Sequence, residues 1–431
     1  MANTQRGSSG LSIIIPALNE EAGITDIVQR VLAQHAALQQ AGVPALEVIV
    51  VDDGSQDQTA AVVQGLVDAQ TTGGGTVRLV RHPHNRGYGA ALKTGLAQAE
   101  GDLIAFLDAD GTYPPEYFPE LCQQAMAGAD VVIGSRMSGL ASEMPFTRRV
   151  GNRVFAQLVT WLSDQRVRDC ASGMRVIRRE QLERLYPLPN GLNFTPIMSL
   201  RAIHEGLALV EVPIPYRERV GSSKLSVVRD GLRYAHSIVW TALSYNPVRV
   251  LGMLGVSGIG LAGLLGLGLV LARLMGVTTL GPWGVVGIFV ALVAAVGGVS
   301  LFSLGATFNY LVAIFRKQPV RMGLFGKPIF DPPLDRHFGW LGLTIGGIGL
   351  ILATITLVLG VNGWAMERLW LYLVGSGLLM LVGLQLSISW LLMRTLEELS
   401  ERELHAQADM RGGGAAPARA SIRVNGKRSK S

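Results

Sequence analysis

The chain has 431 residues with 38 Lys and Arg against 32 Asp and Glu, a formal net charge of +6, and 49% hydrophobic residues. A mean hydropathy of +0.33 is high for a soluble protein, and so modest a charge gives no reason to expect a nucleic-acid partner. Only Cys122 and Cys170 are present, far apart in sequence, which excludes a disulfide framework and a cysteine metal site and fits a reducing compartment.

Residues 1–10 are polar and lack the pattern of a signal peptide, so the first 240 residues are expected to stay on the side of synthesis. Leu11–Glu20 (LSIIIPALNE) predicts a strand that ends at Pro16 in a polar loop. Ile24–Gln39 has helical spacing in Ile24, Ile27, Val28, Val31 and Leu32. Leu46–Ser55 predicts a second strand running into acids, and Thr59–Val67 a helix. Val77–His82 predicts a third strand, followed by a Gly87-Tyr88-Gly89 turn and a helix over Ala90–Gln98. A fourth strand, Leu103–Leu107, stops in Asp108 and Asp110; Tyr113 and the two prolines after it read as turn formers. Asp130–Gly134 predicts a fifth strand. Short apolar strands alternating with helices imply an α/β domain with a mostly parallel sheet. Ligands of such sheets bind beyond the strand carboxyl ends, so Asn19, Glu20, Asp52, Asp53, Asp108 and Asp110 should converge on one rim.

Two carboxylates at i and i+2 of extended chain point the same way, so Asp108 and Asp110 can share a hard cation, Mg2+ or Mn2+, that holds a diphosphate. Glu20 or Asp52 could accept hydrogen bonds from a ribose or base. Arg86, Arg136, Arg148 and Arg149 are candidates for phosphate contacts, because guanidinium matches phosphate geometry. His82, His84 and His204 lack metal-ligand spacing and read as surface or polar-core residues.

Further on, Val228, Leu232, Ala235, Val239 and Ala242 form an apolar stripe suited to a helix lying on a membrane surface. Four nearly uncharged stretches follow: Leu251–Ala272, Trp283–Phe315, Trp340–Val361 and Leu369–Met393. Each is long enough to span a bilayer as helix. Their glycines suggest close helix packing. Arg316, Lys317, Arg321, Lys327 and Arg336 between the second and third stretches, and Arg394 after the fourth, place both termini in the cytoplasm by the positive-inside rule. The basic Gly/Ala/Ser-rich tail from Arg411 is expected to be disordered.

The segments SIIIPALNEE, VVDDGSQDQT, HNRGYGAALKTGL, FLDADG, VVIGSR, DCASGMRVIRR and ERVGSSKLS occur in the order found in family-2 glycosyltransferases of the GT-A fold. Residues 11–240 resemble in particular the dolichyl-phosphate mannose synthase and bacterial polyprenyl-phosphate glycosyltransferase branch. The resemblance implies a Rossmann-like GT-A domain (11–225), and the apolar patterning adds a juxtamembrane amphipathic helix (226–247), a four-helix transmembrane domain (248–396) and a basic cytoplasmic tail (397–431), after a flexible start (1–10). It places Pro16, Ala17, Asn19, Glu20, Asp52 and Asp53 around the nucleotide and Asp108 and Asp110 on the metal. Asp169, Ser172 and Gly173 fall beside the donor sugar. Arg136, Arg148, Arg149 and Asn152 gather around the reacting phosphates, and Arg219, Gly221, Ser223 and Lys224 close over the diphosphate or acceptor.

The chain departs from the family at Asn193–Ser199 (NFTPIMS), where many members carry an acid, and it lacks the Q-x-x-R-W element of processive synthases. A phosphate acceptor, already ionised, needs no base. The expectation is therefore inverting transfer of a hexose from a nucleotide diphosphate sugar, of GDP-mannose or UDP-glucose type, to polyprenyl phosphate. A hydroxyl acceptor and a non-catalytic membrane assembly subunit are the alternatives, and association into a homo-oligomer is left open.

Overall fold

A computed structural model describes residues 10–69, 74–138, 144–163, 165–217, 227–277, 281–316 and 334–410. Arg219, Gly221, Ser223, Lys224 and the tail from Arg411 lie outside the described residues. The chain divides into two units, Met1–Tyr245 and Asn246–Ser431.

The first unit is built on a seven-stranded sheet, β1 (Gly10–Ala17), β2 (Ala45–Asp52), β3 (Thr76–Arg81), β4 (Leu103–Phe106), β5 (Val131–Ser135), β6 (Arg175–Arg178) and β7 (Leu209–Pro213), in the order β3-β2-β1-β4-β6-β5-β7. All neighbours are parallel except β6, which runs antiparallel to both β4 and β5. The sequence reading anticipated β1 to β5 and missed β6 and β7. Register aligns Ala17 with Asp52 and Asp52 with Arg81, so β1, β2 and β3 end flush at one rim.

Helices cover both faces. In chain order they are α1 (Ile24–Leu32), α2 (His35–Gln40), α3 (Thr59–Asp68), α4 (Tyr88–Gln98), α5 (Phe118–Met126), α6 (Phe146–Leu162), α7 (Leu182–Leu185), α8 (Phe194–His204) and α9 (Val227–Tyr245). The stripe Ile24, Ile27, Val28, Val31 of α1 packs in one core with Ile13, Ile15, Val48 and Val50. Ile14, on the opposite face of β1, meets α4 at Gly95, where a Cβ would collide with it. The single helix expected over Ile24–Gln39 is two, because the apolar stripe stops at Leu32 and only Leu38 of the second piece is buried. The α9 helix packs on α6 and α8: Ile238, Ala242 and Tyr245 are buried, while Leu232 and Trp240 stay exposed.

The second unit consists of α10 (Pro247–Leu274), α11 (Pro282–Arg316), α12 (Phe338–Val361) and α13 (Met366–Met410). All four are long and apolar enough to cross a membrane. Side chains such as Leu264, Trp283, Leu343 and Val361 point outward, the arrangement of a bundle solvated by lipid. Gly298 of α11 is in backbone contact with Gly255 of α10, and Gly383 of α13 with Gly342 and Gly346 of α12, as the glycine pattern suggested; at Gly347 a Cβ would find open space. A hydrogen bond from Gln385 to Ser300 joins α13 to α11. Helix α13 continues to Met410, beyond the boundary expected at 396.

Candidate active site

Strand β4 delivers Asp108 and Asp110 to the rim. Asp110 is shaped by its own turn: Oδ1 accepts from the Thr112 N–H at 3.1 Å and hydroxyl at 2.6 Å. Asp108 Oδ1 accepts from the Tyr88 hydroxyl at 2.8 Å. Its carboxylate lies against Gly173, where a Cβ would come within 2.7 Å of Oδ2, so only glycine leaves the carboxylate where it is. The Gly173 N–H in turn donates to Tyr113 Oη at 2.6 Å.

Arg136 follows β5 and forms a two-pronged pair with Asp169, Nε to Oδ2 and Nη2 to Oδ1 both at 2.8 Å, with side-chain exposures of 10% and 0%. Tyr113 and Tyr216 hold the guanidinium against their rings at 5.5 and 5.8 Å. Burial alone would raise the Asp169 pKa, but the Arg136 charge and hydrogen bonds outweigh it and hold the carboxyl below its ordinary value. Behind this pair Arg175 is fully buried. It donates to Ser172 O and Cys170 O at 3.0 and 2.7 Å and so ties down the loop that carries Asp169 and Gly173. Burial pulls its pKa down to about 10, which still leaves it charged at neutral pH.

Asp108, Asp110, Arg136 and Gly173 line a cavity of about 200 Å³ together with Arg148, Gly151 and Asn152 of α6. Arg148 reaches Tyr216 Oη at 3.4 Å. Arg149, expected beside them, is not on the wall; its Nη2 donates to Met144 O at 3.5 Å. Among the described lining residues Asp108 and Asp110 are the only carboxylates, and Thr195 of α8 stands in the segment where an acid was absent from the sequence.

The remaining expected nucleotide residues sit at the ends of β1 and β2. Pro16 and Ala17 are buried. Asn19 adopts φ +52°, tolerable for asparagine, and braces the neighbouring loop, its N–H donating to Ser55 Oγ at 2.9 Å and its Oδ1 accepting from Gln56 N–H at 2.8 Å. The Glu20 N–H donates to Thr59 Oγ1 at 2.9 Å. Asp52 is buried, with Oδ1 on Ser55 N–H at 3.0 Å. Asp53, Asp169 and Ser172 are each engaged by the polypeptide. Asp53 accepts from the Arg86 and Gly87 N–H groups and contacts His82 Nδ1 at 2.6 Å. Asp169 is taken up by Arg136, and Ser172 donates to Gly134 O at 2.5 Å. Sequence reasoning missed Tyr88, Tyr113, Tyr216, Thr195 and Arg175.

The donor set fits a divalent cation that binds with its substrate. Among the described residues no three His, Cys, Asp or Glu gather into a closed metal cage. Mg2+ characteristically takes one or two carboxylates plus substrate phosphates, and Asp108 and Asp110 with the gap kept by Gly173 offer that half-site.

The profile described as glycosyl transferase family 2 matches residues 12–186, and one described as a domain of unknown function (DUF8752) matches residues 247–407. A dolichyl-phosphate hexose transferase of Haloferax volcanii is 31% identical over 236 residues, 54% of this chain and 94% of that protein. The chain belongs to glycosyltransferase family 2. This family-2 glycosyltransferase is also 32% identical over 323 residues to the undecaprenyl-phosphate 4-deoxy-4-formamido-L-arabinose transferase of Pseudomonas aeruginosa, covering 73% of this chain and 88% of the relative. The crystal structure of glucosyl-3-phosphoglycerate synthase from Mycobacterium tuberculosis with Mn2+ and UDP shares 23% identity over 55% of this glycosyltransferase and 80% of that chain, with a TM-score of 0.40, a likeness too loose to bear on its chemistry. The family-2 enzyme thus joins a GT-A α/β unit with a mostly parallel sheet to four apolar helices.

Proposed function

We propose that the enzyme transfers a hexose, with inversion, from a nucleotide diphosphate sugar to polyprenyl phosphate. The observation that carries this reading is a cavity whose described carboxylates are limited to the Asp108–Asp110 pair, faced by Arg136, Arg148 and Asn152. An alcohol acceptor would need a base to take its proton. A phosphate monoester is largely dianionic at neutral pH, its second pKa being about 6, and needs cations to position it. Relatives named for dolichyl phosphate and undecaprenyl phosphate support the same acceptor class.

In this reading Asp108 and Asp110 hold Mg2+ or Mn2+, which would neutralise charge on the departing diphosphate. Arg148 and Asn152 hold the acceptor phosphate. Arg136, fixed by Asp169, Tyr113 and Tyr216 on the cavity wall, is assigned to the phosphates. An acceptor phosphate oxygen attacks the anomeric carbon; the bond to the diphosphate oxygen breaks and its electron pair leaves with the nucleotide. The outer face of α6 carries exposed Phe146, Val150, Val154 and Trp161, and α9 adds Leu232 and Trp240. Such faces suit a bilayer surface, where a polyprenol offers its phosphate. Arg219, Gly221, Ser223 and Lys224 are assigned to closure over the diphosphate or acceptor on the resemblance alone.

The test is to incubate membranes containing the enzyme with Mg2+ or Mn2+, polyprenyl phosphate and labelled GDP-mannose, UDP-glucose or UDP-N-acetylglucosamine. One donor should label an organic-extractable, mild-acid-labile lipid, and Asp110→Asn should abolish the label while the protein remains folded. Undiminished labelling in that variant would remove the cation site.

A further inference from the structure

The segment Gly87-Tyr88-Gly89, where the chain enters α4, is held from several directions. On one side both oxygens of Asp53 are engaged: Oδ1 accepts the Arg86 N–H at 2.9 Å and Oδ2 the Gly87 N–H at 2.8 Å. Asp53 is itself buried against His82 Nδ1, and His82 Nε2 lies 2.9 Å from Thr94 Oγ1 of α4. On the other side Gly89 packs on Pro189 O, and the Ala90 N–H donates to Asn190 O at 3.1 Å. Gly87, at φ +102°, lies so close to Asn190 O that a Cβ would come within 2.6 Å. What this scaffold delivers is the Tyr88 hydroxyl, 2.8 Å from Asp108 Oδ1 at the wall of the cavity.

We propose that Tyr88 is a positioning residue for the cation site: its hydroxyl fixes the rotation of the Asp108 carboxylate, and the second acidic pair contributes Asp53 to the turn that places Tyr88. The proposal rests on the reading of Asp108 and Asp110 as cation ligands. Hydrogen bonds to a ligating carboxylate set its orientation, and losing such a partner typically weakens metal binding. The Gly87-Tyr88-Gly89 segment and Asp53 are thereby one device, in which Asp53 acts on the cation site through Tyr88 and Asp108.

Tyr88→Phe removes the hydroxyl and keeps the ring. With the full-length enzyme in detergent, Mn2+ is titrated in the presence of UDP, and separately GDP, while free Mn2+ is followed by its electron paramagnetic resonance signal. Tyr88→Phe should bind Mn2+ about 10- to 100-fold more weakly, with an unchanged melting midpoint, and raised Mn2+ should recover kcat. Wild-type Mn2+ affinity in Tyr88→Phe would overturn the proposal, as would a lowered midpoint with metal affinity per folded molecule intact. If the wild-type enzyme itself bound no Mn2+ with either nucleotide, the cation site would fall along with it; binding by wild type matched by the variant overturns the role of Tyr88 alone.

Discussion

At the scale of single residues, the decisive interactions are buried and charged. Removing one member of a buried ion pair leaves the other uncompensated, which costs about 3–5 kcal/mol. Asp169→Asn, which strands Arg136, should therefore lower the unfolding free energy of the catalytic unit by roughly that amount and impair transfer; chemical denaturation followed by tryptophan fluorescence measures the first effect. Gly173→Ala should do the opposite: little change in stability but a displaced Asp108, read as a raised Mn2+ requirement. The pH profile separates the pair from the substrate. With its folded pKa depressed, Asp169 contributes stability above its unfolded value of about 3.9 and loses it only as pH falls through the lower folded value. The pair is thus constant from pH 5 to 8 on these grounds, and a fall in rate near pH 6 would report the second ionisation of the acceptor phosphate, about 6.

At the scale of elements, α6 is the part that faces two ways, with Arg148 and Asn152 in the cavity and Phe146, Val150, Val154 and Trp161 outward. Arg148→Ala should raise KM for the lipid acceptor more than for the donor, and Arg149→Ala less, since Arg149 is off the wall; steady-state kinetics with each substrate varied would show it. The strands β1 to β5 were legible because each is a short, mainly apolar run, and the long apolar helices because their runs carry almost no charge. Strand β6 was not: it reads RVIR, and its first residue is a buried arginine held by carbonyls that only the fold supplies. The carboxylates of β4 were legible from their spacing. Tyr88, Tyr113 and Tyr216 were not, because they come from three separate segments and meet Asp108 and Arg136 only through tertiary packing. Asp53 shows the reverse, an acid at the expected rim whose side chain the neighbouring turn absorbs.

At the scale of the whole molecule, our reading takes the four membrane-capable helices among the described residues as spans, with the basic connections, and so both termini, on the cytoplasmic side. The two native cysteines are buried, with thiol pKa values pushed up to about 12 by burial, so they give a silent background for labelling. Asn362→Cys, between α12 and α13, should react with an impermeant maleimide on intact cells, whereas Ser421→Cys should react only after permeabilisation. In the proposed reading the acceptor is polyprenyl phosphate, and the described cavity lining, whose carboxylates are Asp108 and Asp110, supports a phosphate acceptor. The most direct test supplies the purified enzyme with its working donor and either polyprenyl phosphate or the corresponding free polyprenol. Glycosylation of the phosphate alone is the predicted result. Comparable transfer to the polyprenol would contradict the account, because the cavity would then have to supply a base that this reading does not contain.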